Sequence, residues 1–113
     1  MAQSISLDQS IYTGQSAFAL LQQQSEKSIL VKFVAPHCGG CTTLNPILEQ
    51  LVREQSGLLH LVEIDITEDP DLAMELDVRS VPTVALFKQQ HELGRLVGLQ
   101  PKKHYVNLVQ QIG

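Results

Sequence analysis

Two residues in this chain of 113 carry nucleophilic sulfur, and they stand three positions apart in His37-Cys38-Gly39-Gly40-Cys41. With two residues between them, one thiolate can attack a disulfide on another molecule. The second thiol can then attack the mixed disulfide, release the reduced partner and close a Cys38–Cys41 disulfide. Stapling is a weak alternative, because a bond across so short a loop removes little entropy from the unfolded chain. An inert buried pair and a metal site remain open on residue types alone. Zinc takes four ligands, and beyond the cysteines the chain offers His37, His60, His91 and His104, each in a separate segment. With no second C-x-x-C and no H-x-x-x-H, a metal or iron–sulfur site would need two chains to share it.

The segments around the pair place it at a strand-to-helix junction. Ser28 to Ala35 (SILVKFVA) is a nearly continuous β-branched and aliphatic run closed by Pro36, the pattern of a strand buried on both faces. From Cys38 to about Gln55, Leu44, Ile47, Leu48, Leu51 and Val52 form one helical stripe ended by Gly57. Pro46 inside it should kink the helix, because its ring clashes with the carbonyl of Thr42 and it lacks an amide proton. Cys38 then meets the unpaired amides and positive end of the helix dipole, which lower a thiol pKa. Cys41 lies one turn further in.

The remaining chain supplies a sheet and its covering helices. Ile5 and Leu7 alternate weakly as an edge strand, and Gly14 to about Gln24 is a short amphipathic helix carrying Ala17, Phe18, Leu20 and Leu21. Leu58 to Ile66 is a second hydrophobic strand. Asp69-Pro70-Asp71 then starts a helix to about Leu76, with Asp69 as the N-cap acceptor. Thr83–Lys88 and Glu92–Val97 read as a hairpin with a connection of about four residues, and Pro101 opens a helix with Tyr105, Leu108, Val109 and Ile112 on one face. The order (β)αβαβαββα predicts a three-layer α/β/α sandwich on a central mixed sheet, formed by residues 1–113 as a single domain.

Composition narrows the function. Eight Lys and Arg against twelve Asp and Glu give a net charge of −4, which disfavours nucleic acid and anionic membrane as partners. No apolar run approaches the roughly 20 residues of a membrane span, and the first ten residues do not resemble a signal peptide, so a cytoplasmic setting is expected. A domain of this size buries about two-thirds of its unfolded surface and stands without disulfides, leaving the cysteines available for chemistry.

The HCGGC turn after a hydrophobic strand, followed about forty residues later by Ser80-Val81-Pro82-Thr83, resembles the thioredoxin family. The likeness extends through Asn45-Pro46-Ile47-Leu48, Glu63-Ile64-Asp65-Ile66 and Gly98. Within the family it is nearest to the thioredoxin domain of the type C NADPH-thioredoxin reductases of cyanobacteria and plastids, through LNPILEQLV, HLVEIDITEDPDLA and GLQPKKHYVNLV. The resemblance implies the thioredoxin fold, Cys38 as attacking thiol and Cys41 as resolving thiol. It also implies a cis Pro82 facing them, so that Val81 can pair with an extended client; Pro82 alone would read as an ordinary trans proline opening a strand. His37, Gly39, Gly40, Val81 and Pro82 are the implied client-contacting residues. No bound cofactor is needed. A thioredoxin reductase is the implied electron donor, disulfide proteins including peroxiredoxins the acceptors, and a monomer the acting form. The alternative is a thioredoxin-like adaptor that docks clients at Cys38 and Val81 without turnover.

Three departures from the family pattern stand out. His37 replaces the usual Trp, and when protonated it would favour the Cys38 thiolate, unless it is simply solvated. Gly40 replaces the usual Pro between the cysteines and loosens the loop. Lys32 and Glu63 exchange the charges of the family's buried Asp and neighbouring Lys. A Lys inside so apolar a strand is expected either to pair with Glu63 or to snorkel to water. If it pairs, the cation should lower both thiol pKa values, and Glu63 becomes the candidate proton acceptor for Cys41. Lys102, Lys103 and His104 sit where the helix dipole disfavours cations, as a solvated helix end or a contact for an acidic partner.

Overall fold

Residues 11–55 and 57–111 are described by a computed structural model. The elements run β1 (Ile11–Thr13), α1 (Gln15–Gln24), β2 (Ser28–Val34), α2 (Gly39–Glu54), β3 (Leu59–Asp65), α3 (Pro70–Glu75), β4 (Thr83–Lys88), β5 (His91–Val97) and α4 (Lys102–Val109). The sheet order is β1-β3-β2-β4-β5. β1 and β2 run parallel to β3, whereas β4 is antiparallel to both β2 and β5.

β2 lies at the centre, and all seven of its residues are buried, as its unbroken apolar run requires. Alternation along it divides the core in two. Ile29, Val31 and Phe33 belong to one cluster with Phe18 and Leu21 of α1 and Leu72 and Ala73 of α3. Leu30 belongs to the other, with Leu44, Leu48 and Leu51 of α2 and Tyr105, Leu108 and Val109 of α4. The result is the expected three-layer sandwich, each large buried side chain contributing about 2 kcal/mol through the water it leaves. The sheet presents Lys32 on the α2 side, in step with Leu30.

Four local expectations need correction or fall elsewhere. The weak strand at Ile5 and Leu7 and the helical Ile112 lie outside the described residues. The first described strand is instead Ile11–Thr13, paired Ile11 to Leu61 and Thr13 to Glu63. Three residues of which only Tyr12 is buried leave too short a pattern to read. Asp69 does not cap its own helix: its Oδ2 accepts the backbone N–H of Gln15 at 3.2 Å, at the start of α1. Gly14, which precedes α1, has no side chain to do this. The hairpin connection is two residues, Gln89-Gln90, not four, because Lys88 pairs directly with His91 and Gln89 takes the left-handed φ of 53° that so tight a turn demands. A bulge follows: Leu86 pairs with Gly94 and Phe87 with Glu92, leaving Leu93 over.

Candidate functional site

α2 begins at Gly39, so Cys38 takes the N-cap position in extended backbone, with φ −92° and ψ 101°. Its own N–H donates to the Ala35 carbonyl at 3.2 Å, and its carbonyl accepts the N–H of Cys41 at 3.3 Å. No acidic residue occupies the first turn of α2, leaving the positive end of the helix uncompensated beside the sulfur. Cys38 and Cys41 are joined by a disulfide, with Cα atoms 5.4 Å apart. Cys38 is partly exposed while Cys41 is 8% exposed, so access differs between the two sulfurs as a stepwise exchange requires. Among the described residues no group of three His, Cys, Asp or Glu is placed to hold a metal ion.

The Val81–Pro82 bond is cis. Pro82 is buried against the cysteine loop: a Cβ placed on Gly40 would lie 3.3 Å from Pro82 Cδ and 3.4 Å from Leu99 Cβ. Glycine at 40 therefore keeps the loop close to both. Leu99, unremarked in the sequence, is 46% exposed and forms part of the rim. Its neighbours are held firmly. Gly98, at φ 76°, donates its N–H to the Pro82 carbonyl at 2.8 Å. The buried Tyr105 hydroxyl accepts the Gln100 N–H at 3.0 Å and donates to the Gly98 carbonyl at 3.3 Å. Gly98 was the visible signal for this loop, since a turn at positive φ favours glycine. His37 and Gly39 are exposed and Val81 is partly buried.

Below the cysteine loop, Lys32 is 4% exposed, and its Nζ lies 2.9 Å from Glu63 Oε1. The two are registered partners on β2 and β3, which puts both side chains on the α2 face. The ion pair is formed, and the snorkelling alternative is set aside. Lys32 Nζ also donates to Asn45 Oδ1 on α2, a partner the sequence reading missed because an uncharged Asn carries no signal of pairing. At the end of β3, Asp65 Oδ1 accepts from the Thr67 hydroxyl at 2.6 Å and the Thr67 N–H at 2.8 Å. These bonds, the side-chain one foremost, hold the Asp65 carboxyl below its ordinary value. The cationic start of α4 is partly engaged: Lys102 donates to Gln50 Oε1 at 3.2 Å and His104 Nδ1 lies 3.1 Å from Gln100 Oε1, while Lys103 is exposed.

Residues 9–111 match the family model described as Thioredoxin. The chain belongs to the thioredoxin family. It is 37% identical over 99 residues to the NADPH-dependent thioredoxin reductase 3 of Arabidopsis thaliana, covering 88% of this chain but only 19% of that protein. It is 33% identical over 82 residues to the thioredoxin of Staphylococcus saprophyticus, covering 73% of this chain and 79% of that one. Among solved structures, a single-residue mutant of the thioredoxin of Halobacterium salinarum superposes with a TM-score of 0.79 at 31% identity, over 97% and 96% of the two chains. The resemblance to the thioredoxin domain of the reductases, the thioredoxin fold and the thiol–disulfide oxidoreductase class thus stand together. Thioredoxins act on disulfide substrates and are re-reduced by thioredoxin reductase. No helix among the described residues is long and apolar enough to cross a membrane.

Proposed function

We propose that this thioredoxin-family chain works in the reducing direction, as a monomer in the cytoplasm, passing electrons from a thioredoxin reductase to protein disulfides. The Cys38 thiolate attacks one sulfur of a client disulfide. A Cys38–client bond forms, the client S–S bond breaks, and the departing client sulfur takes up a proton. Cys41 then loses its proton, with Glu63 as the candidate acceptor, and attacks Cys38 Sγ. The internal disulfide forms, the second client sulfur leaves, and two electrons have passed from the dithiol to the client. His37, Gly39, Gly40, Val81 and Pro82 line the client, with the Val81 backbone offered to an extended segment. Lys32 favours the anionic thiols through its charge.

The observation that carries the reading is the unequal exposure of two joined cysteines at an uncompensated helix N-terminus. The likeness to the NADPH-dependent thioredoxin reductase of Arabidopsis supports a reductase of that kind as donor. Cytoplasmic reductants are what would keep such a dithiol turning over.

Insulin-disulfide reduction with dithiothreitol tests the proposal. Turnover should vanish in both Cys38→Ser and Cys41→Ser, and Cys41→Ser should trap clients as mixed disulfides. Undiminished client binding by Cys38→Ala, together with no turnover by the parent chain, would establish the adaptor instead.

A further inference from the structure

The ammonium of Lys32 is enclosed by apolar neighbours, with Leu30 at 0% and Val34 at 9% exposure on the same strand. A buried cation needs acceptors in place, and it has one on each side: Glu63 Oε1 on the neighbouring strand and Asn45 Oδ1 on the helix above. The two differ in kind. The Glu63 side chain is 42% exposed, so water shares its charge, whereas Asn45 is neutral and meets the ammonium from the helix side. The pair is therefore balanced in charge but not in position, its cation lying deeper than its anion.

Asn45 is four residues beyond Cys41, so the two share one face of α2 a turn apart. It also immediately precedes Pro46, which has no N–H to give the Thr42 carbonyl. The turn that carries Cys41 thus lacks one of its own hydrogen bonds at the point where Lys32 ties it to the sheet.

We propose that Asn45 is a positioning residue for thiol–disulfide exchange: its amide oxygen fixes the Lys32 ammonium against the Pro46-weakened turn, so that Cys41 ionises one helical turn from the point where the cation is held. This rests on the exchange reading above, in which the Cys41 thiolate attacks Cys38 Sγ, the Cys41–Cys38 bond forms and the client sulfur leaves with the electron pair of the broken bond. A neutral acceptor suits the purpose, because a carboxylate at position 45 would place a second anion under the sulfur that must become negative. The other titratable groups on the elements around Cys41 are His60, Glu63 and Asp65 on β3, His37 in the loop before α2, and Glu49, Arg53 and Glu54 further along α2. The 80–83 and 98–100 segments contribute none.

The test is a double-mutant cycle read in the titration of Cys41 alone, by ultraviolet thiolate absorbance in a Cys38→Ser background. Lys32→Met should raise the Cys41 midpoint by about one unit, and Asn45→Ala by about half that. In the Lys32→Met background, Asn45→Ala should add nothing, since its effect passes through the ammonium. Lys32→Gln gives the same cycle should Met repack the site. A helix-packing role alone would move both backgrounds equally. An unmoved midpoint in Asn45→Ala, or a displacement that survives Lys32→Met, overturns the proposal. Insulin reduction by the parent chain is measured alongside. Its absence counts against the exchange reading, whereas its presence with an unmoved Cys41 curve counts against Asn45 alone.

Discussion

Removing the anion of the Lys32–Glu63 pair should be more damaging than removing the cation. At 2.9 Å and an effective dielectric constant near 20, two unit charges attract by about 6 kcal/mol. Exposure of the Glu63 side chain screens that attraction, and desolvation of the ammonium opposes it, leaving a net coupling of about 1–2 kcal/mol. Glu63→Gln keeps the shape but leaves a 4% exposed ammonium facing only neutral acceptors, so it should lose about 1.5 kcal/mol. Lys32→Met removes the buried charge itself. It leaves Glu63 to water and Asn45 Oδ1 short of a donor, while a linear thioether fills the apolar sleeve, for a net change within about 1 kcal/mol. For a chain of this size 1 kcal/mol moves the midpoint by about 4 °C, so calorimetry of the oxidised protein should place Glu63→Gln about 6 °C below the parent. In the Lys32→Met background Glu63→Gln should be neutral. Additive losses in the double variant, or a Lys32→Met loss exceeding that of Glu63→Gln, would refute the assignment of the buried cation as the vulnerable partner.

Other outcomes follow from single contacts. Asp69→Ala should destabilise by about 1 kcal/mol in urea unfolding while Asp69→Asn stays near the parent, because only an acceptor for the Gln15 N–H is needed. Gly40→Ala should be close to neutral, its helix propensity gain offset by crowding at Pro82 and Leu99. Thermal melts of parent and variant will show this, and a loss of more than about 1 kcal/mol would mean that neither neighbour gives way. Asp65, whose carboxyl is held low by Thr67, adds stability that is fully present above its ordinary value of 3.8 and lost as pH falls through its lower folded value. Thr67→Val should raise the Asp65 midpoint in an NMR titration, and an unchanged midpoint would rule out the hydroxyl as the main cause.

The parts of this structure that were legible beforehand are those written as repeating patterns or as chemical anomalies. The unbroken run of β2 and the stripe of α2 are periodic over many residues, and the helix N-terminus at Cys38 follows from where they meet. Lys32 was conspicuous because a charge in such a strand must find a partner, and the parallel strand opposite offered Glu63. The misses are residues whose partners lie far along the chain and whose type is ordinary. Asn45 in a helix, Leu99 in a loop and Asp69 before a proline each have a satisfactory local explanation. In the case of Asp69 the local explanation was wrong, since a carboxylate at the head of one helix serves another, 54 positions away. Short β1 was hidden for a related reason, as one buried Tyr12 makes no alternation.

That distant carboxylate bears on the order in which the molecule assembles. α1 has a glycine at its head, no acid in its first turn and no base in its last, so little in its own ten residues favours a helix over a coil. Its missing acceptor arrives only when the segment after β3 has docked. Helix 1 should thus be a late arrival in folding and an early departure in unfolding. Its amides should exchange with solvent well before those of β2, at free energies below that of global opening.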